Sequence, residues 1–225
     1  MWCVPKLDKE YIEKMEDVLE VYARPLDPQE PVVCLDEKPV QLLEDARPLQ
    51  RATSPGMITK RVSEYVRHGT ANIFGAVEPK AGRHFSCVTP NRSGAEFAKM
   101  VATVARRYPE AETIHLVMDN LNTHREASLT QFYGEEIGRS IWDRFSVHYT
   151  PKHGSWLNQA EIELSLVSRQ ALGKERIPDR AVLQRQVTCW SRGATRRKTV
   201  INWTFTKTKA QRLFGYMPEN RRSGH

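Results

Sequence analysis

A chain of 225 residues, 40% of them hydrophobic, is long enough to bury a core as one domain with appendages and too apolar for global disorder. No apolar run approaches the roughly 18 residues of a membrane span, and Met1-Trp-Cys-Val-Pro-Lys-Leu-Asp8 lacks the basic-then-apolar pattern of a signal peptide. Four scattered cysteines without a Cys-x-x-Cys pair argue against structural zinc or a disulfide framework and fit a reducing cytoplasm.

The net charge of +7 is unevenly placed. Residues 162–225 carry 14 Lys/Arg against 4 Asp/Glu, a net of +10, whereas residues 1–161 carry 20 against 23, a net of −3. A basic C-terminal third beside an acid-rich remainder suits a polyanionic substrate. The alternative is a solvated basic tail.

In chain order, residues 8–23 read as an amphipathic helix capped by Asp8, with Tyr11, Ile12, Met15, Val18, Leu19 and Tyr22 at helical spacing. Pro31 to Asp36 reads as the first strand. Glu44 to Lys60 is polar, with Pro48, Pro55 and Gly56, and is expected to be a loop. Strands follow at Ala71–Val77 and His84–Val88, joined by a hairpin at Pro79-Lys-Ala-Gly82-Arg. Ser93 to Arg107 is a helix for which Ser93 and Glu96 would form a capping box. Thr113–Met118 is the fourth strand, helices fall between Glu126 and Trp142, and Phe145–Tyr149 is the fifth strand. Helices close the series at Leu157–Leu172 and Asp179–Ala194. Three antiparallel strands followed by helix-linked ones describe an α/β fold with a mixed five-stranded sheet and helices on both faces, an order that matches the ribonuclease-H-like fold. The expected domain limits are 1–28 for an N-terminal linker helix, 29–195 for the catalytic domain and 196–225 for a basic C-terminal tail.

In that topology the first and fourth strands are neighbours, so Asp36 and Asp119 meet at adjacent strand ends, a favoured ligand position in open α/β sheets. Two carboxylates so close repel unless a cation lies between them, and oxygen donors alone favour Mg²⁺ or Mn²⁺. Either aspartate alone could equally form a turn or cap a helix. Glu37 should point to the opposite sheet face. Glu161 and Glu163 lie about 200° apart on their helix, so at most one faces the site, and the pattern does not choose between them. His124, five residues past Asp119, could contact a phosphate or support a ligating carboxylate, and a surface or capping histidine is an equal alternative; Asn120, next to Asp119, is a further candidate to support the acids. Lys152 and His153, in the turn before Trp156, are candidates for contact with a nucleic-acid backbone, as is Arg196-Arg197-Lys198. Trp156 itself reads as a core anchor for that turn.

Val33-Cys-Leu-Asp36-Glu-Lys-Pro-Val-Gln-Leu, Tyr65-Val-Arg-His-Gly-Thr-Ala-Asn-Ile-Phe, Asp119-Asn-Leu-Asn-Thr-His124, Tyr149-Thr-Pro-Lys-His-Gly-Ser-Trp-Leu-Asn-Gln-Ala-Glu161 and Asn202-Trp-Thr-Phe-Thr together resemble the DDE transposases of bacterial insertion sequences, in the IS-six-thirty branch related to mariner elements. The resemblance covers nearly the whole chain. It implies that Asp36, Asp119 and Glu161 are the catalytic acids and ligands of two Mg²⁺ (or Mn²⁺) ions. Glu161 is selected over Glu163 because the family's acid follows the Leu-Asn-x-x stretch. It further implies double-stranded DNA as partner, as transposon ends and as target, a homodimer on paired ends, and a bacterial, nucleoid-associated location. Two departures stand out. The 41 residues between Asp119 and Glu161 exceed the gap in many mariner relatives, with the excess expected in Arg125–Arg144. Only one helix precedes the first strand, so the helix-turn-helix reader of full-length relatives is expected to be missing. The rival expectation is therefore an inactive remnant that only binds DNA.

Overall fold

The computed structural model describes residues 7–48 and 63–216. Helix α1 (Lys9–Ala23) starts where expected, with Asp8 accepting from Tyr11 N at 2.9 Å. Strands β1 (Val32–Asp45), β2 (Tyr65–Glu78) and β3 (Arg83–Thr89) form an antiparallel meander. Helix α2 (Gly94–Arg107) leads into β4 (Ile114–Met118). Two short helices, α3 (Glu126–Tyr133) and α4 (Glu135–Trp142), precede β5 (Phe145–Tyr149). After a 3-10 turn at Ser155–Leu157 come α5 (Gln159–Val167), which runs into a π-turn at Ser168–Leu172, then α6 (Arg180–Arg196) and α7 (Lys207–Phe214). The sheet order is β3-β2-β1-β4-β5, with β4 parallel to both β1 and β5. This is the expected mixed sheet.

Period-2 alternation divides the core between the two faces. Val33 and Leu35 of β1 join Phe74, Leu116 and Met118 under α2, while Cys34, Val77 and Val117 pack beneath α1. A third cluster places Ile73 of β2 against Leu164 and Val167 of α5 and Leu183 of α6. Helices therefore cover both faces. Among the described residues, no helix is long and apolar enough to cross a membrane.

Several elements depart from the sequence reading. β1 does not stop at Asp36 but continues to Asp45, beyond its pairing with β4 at Val32–Cys34. Pro39 is tolerated there because, among the described residues, no strand pairs with β1 on its β4 side beyond Cys34. β2 likewise begins at Tyr65, and its first six residues are exposed, so this half of β2 has no buried face to imprint an alternation, while the part of β1 paired with it buries only Leu42 fully. Of the loop expected at Glu44–Lys60, residues 49–60 lie outside the described residues. Ser93 occupies the N-cap of α2 without a side-chain cap bond, and Glu96 accepts from Lys99 Nζ at 2.9 Å, so the expected capping box does not form. The long Asp119–Glu161 interval is taken up by the α3–α4 pair, split at Gly134 with φ 86°, a value that glycine tolerates.

The segment set apart as a tail is partly built into the fold. Residues from 201 to 216 include α7, with Thr206 accepting from Lys209 N at 3.3 Å and Gly215 left-handed at its end. Ala210 is buried against α1, and Lys207 pairs with Glu16 at 2.7 Å. Its short length and high charge hid α7 in the sequence. Helix α1 is likewise packed on the sheet, with Met15 and Val18 fully buried.

Candidate active site

The parallel register pairs Val33 with Leu116, so three residues further on Asp36 and Asp119 come level at neighbouring strands. Asp36 is inside β1 and Asp119 follows the last residue of β4. Glu161 lies in the first turn of α5, where a negative side chain is favoured by the helix N-terminus. All three line one cleft of about 1200 Å³, together with Lys38 and the aromatic rings of Trp156, Trp203 and Phe205.

The electrostatics record how close the acids are. Burial pushes the Asp36 carboxyl up to about 7. The Glu37 amide, donating to Asp36 Oδ1 at 2.8 Å, pulls the other way, and the charges of Glu37, Asp119 and Glu161 add to the rise. His124 is 1% exposed and stacked on Phe97 with ring centroids 4.5 Å apart. Burial alone would lower its pKa, but the carboxylates of Asp119 and Glu37 hold it at about 9, so the imidazole is charged at neutral pH. Its Nδ1 is 2.7 Å from Asp119 Oδ1 and its Nε2 is 3.4 Å from Glu37 Oε2.

His124 Nδ1 also lies 3.1 Å from the Asp119 main-chain oxygen, so a single donor is shared between that oxygen and the buried Oδ1, which keeps its ion pair with the imidazolium but makes no well-aligned hydrogen bond. An Oδ1 held only by that shared contact, beside an Asp36 whose charged form is disfavoured by burial and by its neighbours' charge, fits a hard divalent cation with oxygen ligands. Among the described residues no three acidic, histidine or cysteine side chains close around a single ion-binding point. The acids thus share a cleft without forming a finished coordination shell.

The other residues singled out in the sequence fall in different places. Glu37 points to the face opposite Asp36, as alternation requires, and there it supports His124. Asn120 is exposed and, among the described residues, makes no hydrogen bond to the acids. Lys152 and His153 are exposed in the turn closed by Gly154 N donating to Pro151 O at 2.8 Å, next to the cleft-lining Trp156. His153 has φ 63°, a left-handed value that costs a non-glycine residue roughly 1–2 kcal/mol. Trp156 is the anchor it was expected to be, packed on Phe205 with centroids 5.2 Å apart and donating to Tyr11 OH at 3.4 Å.

Arg196, Arg197 and Lys198 are exposed but outside the cleft. The Lys198 backbone packs over Gly82 in the β2–β3 turn, at the end of the sheet where β1 begins. Glu163, the rejected acid, is 2% exposed and pairs with His84 Nδ1 at 2.8 Å. Sequence reasoning missed Lys38, a cation in the cleft, and the partnership of Glu37 with His124. Alternation gave Glu37 its face, but nothing local paired it with a residue 87 positions away.

A mixed sheet of this order, with one acid inside its first strand level with another just past the end of the parallel strand beside it, defines the ribonuclease-H-like class. Residues 31–184 match the DDE superfamily endonuclease family, more than half of the chain, and the protein belongs to that family. No curated protein matches the sequence. Among solved structures, the fold is similar to the Mos1 transposase paired-end complex with left transposon end, with a TM-score of 0.56 at 15% identity over 88% of this chain and 60% of that one. A pre-cleavage Mos1 transpososome gives a TM-score of 0.56 at 14% identity, covering 88% and 61% of the two chains. The Mos1 mariner paired end complex with Mn gives 0.54 at 14%, covering 88% and 61%. The chain thus spans about 60% of the length of the structures it resembles.

Proposed function

We propose that this chain is the catalytic part of a DNA transposase of the IS-six-thirty branch, cutting DNA at the ends of an insertion sequence and joining the freed 3′ ends to target DNA. The observation that carries the reading is the convergence of Asp36, Asp119 and Glu161, from three separate elements, on one cleft in a member of the DDE superfamily endonucleases. Asp36, Asp119 and Glu161 would hold two Mg²⁺ or Mn²⁺ ions. Bound there, the ions supply positive charge against the developing charge at phosphorus and make an attacking hydroxyl more acidic.

The protein's own side chains do the rest. The His124 imidazolium, gripped from behind by Glu37, orients Asp119 and offsets the local excess of negative charge. Lys38 faces the same cleft and attracts the phosphate. Trp156, Trp203 and Phe205 wall one side and exclude water. Lys152 and His153 meet the DNA backbone at the approach to the cleft. Arg196, Arg197 and Lys198 meet it at a distance, as positioning contacts without sequence preference.

Double-stranded DNA and a second copy of the chain are the partners of this reading. The paired-end and transpososome assemblies of the Mos1 structures support it. It implies a bacterial cytoplasm and association with the nucleoid. Incubation of the purified chain with duplex DNA tests it: Mn²⁺- or Mg²⁺-dependent nicking or joining is expected, and Asp119→Asn is expected to abolish it. Cleavage that survives Asp119→Asn refutes the assignment. DNA binding that falls steeply with salt, with no metal-dependent cleavage, identifies an inactive remnant instead.

A further inference from the structure

The first and third acids come from different elements, and nothing in a strand or a helix alone fixes the gap between them. The side chain of Asn158 spans that gap. It is 1% exposed, its Nδ2 donates to Leu35 O at 2.8 Å, and its Oδ1 accepts from Ala160 N at 3.1 Å. Leu35 immediately precedes Asp36. Ala160 immediately precedes Glu161, whose own amide donates to the Asn158 carbonyl at 3.0 Å. One carboxamide therefore joins the strand of the first acid to the helix cap that sets the third.

A second fastener lies on the same seam and comes from α1. Tyr22, 6% exposed, donates its hydroxyl to Leu157 O at 2.7 Å and accepts from Gln159 N at 3.4 Å. The same oxygen lies 3.3 Å from Cys34 Sγ. Cys34 and Leu35 on the strand side, and Leu157 to Gln159 on the turn side, are thus tied by two buried side chains. Both are hydrogen-bonded, and a satisfied buried polar network holds a single arrangement. Sites of this kind need their groups held within about 0.5 Å of the productive geometry.

We propose that Asn158 and Tyr22 are positioning residues that fix the Asp36–Glu161 separation, so that α1 is part of the active-site scaffold. The inference rests on reading the three acids as a cation-holding centre. Neither residue touches the reacting atoms; each acts through the acid beside it.

The variants that test it are Asn158→Ser, which retains a helix-capping oxygen but loses the amide donor to Leu35, and Tyr22→Phe, which retains the ring packed 5.4 Å from Trp203 and loses only the hydroxyl. Mn²⁺ binding to the DNA-free chain is measured by calorimetry, and the Mn²⁺ concentration for half-maximal DNA cleavage is measured beside it, well below each variant's unfolding temperature. Both quantities are expected to weaken by about tenfold or more, the usual loss when a group that orients a ligand is removed, with the apparent affinity for DNA unchanged. If Asn158→Ser does not fold, Tyr22→Phe carries the test alone. A wild type that binds Mn²⁺ and cuts DNA, with variants that lose thermal stability but keep the wild-type Mn²⁺ midpoint, overturns this inference and leaves the reading of the acids intact. A wild type that neither binds Mn²⁺ nor cuts DNA overturns both.

Discussion

Charging Asp36 in the folded state carries a cost that a single isosteric change should relieve. Burial and the charges of Glu37, Asp119 and Glu161 raise its pKa from the ordinary 3.8 to about 7. In Asp36→Asn the oxygen that accepts from Glu37 N can remain, so the change removes the charge with little loss of packing. The folded state keeps its proton up to about pH 7 while the unfolded chain releases it near 3.8. The folded state thus binds more protons in that window, and stability falls as pH rises through it. Complete deprotonation costs about 4 kcal/mol at 1.36 kcal/mol per pH unit, and partial access of water to the cleft brings the expected value to roughly 2–4 kcal/mol. Urea unfolding of wild type and Asp36→Asn at a series of pH values, with a chelator present, reads this directly. The two proteins should be nearly equally stable at pH 4, and the variant should lead by that amount at pH 8. Excess Mg²⁺ should close the gap at pH 8 by stabilising the wild type. His124 titrates in both proteins and largely cancels from the difference. A difference that does not change with pH refutes the reasoning.

Glu161 and Glu163 should separate chemistry from folding. Glu163→Ala leaves His84 without its partner in a pair whose side chains are 2% and 1% exposed, and urea unfolding should show a loss of about 3–5 kcal/mol. Glu161→Ala, on an exposed turn, should change stability by less than about 0.5 kcal/mol and abolish metal-dependent cleavage. For His124, a folded pKa of about 9 against the ordinary 6.5 means that its stabilisation is fully present below pH 6.5 and is lost as pH rises through about 9. The stability gap between wild type and His124→Ala, followed by urea unfolding, should therefore shrink by about 2–3 kcal/mol from pH 6 to pH 10.

The sheet was legible because its central strands carry strong signals. Ile114 to Met118 is five buried residues in a row, and the β2–β3 turn announces itself at Pro79 and Gly82. The outer half of the β1–β2 ribbon was not legible, since the first six residues of β2 are exposed and need no alternation, and on β1 only Leu42 is fully buried there. Helix α7 was hidden by Lys207, Lys209 and Arg212, which read as tail charge although Ala210 anchors the helix on α1. In the site, Asp36 and Asp119 could be placed from topology alone, because a parallel register fixes neighbours. The choice of Glu161 needed more than periodicity: helical geometry said that only one of two glutamates faces the cleft, and only the packing of Glu163 against His84 shows where the other goes. The supporting contacts of Glu37, Asn158 and Tyr22 span 87, 123 and 135 residues. No local pattern encodes a partner at that distance.

The central claim is that Asp36, Asp119 and Glu161 form one cation-binding centre for phosphoryl transfer. Anomalous diffraction from Mn²⁺-soaked crystals of the chain with duplex DNA bound tests it most directly. The account predicts manganese peaks within coordinating distance of all three carboxylates, lost in Asp119→Asn. Manganese bound elsewhere, or three ordered carboxylates facing an empty cleft at saturating Mn²⁺, would contradict it.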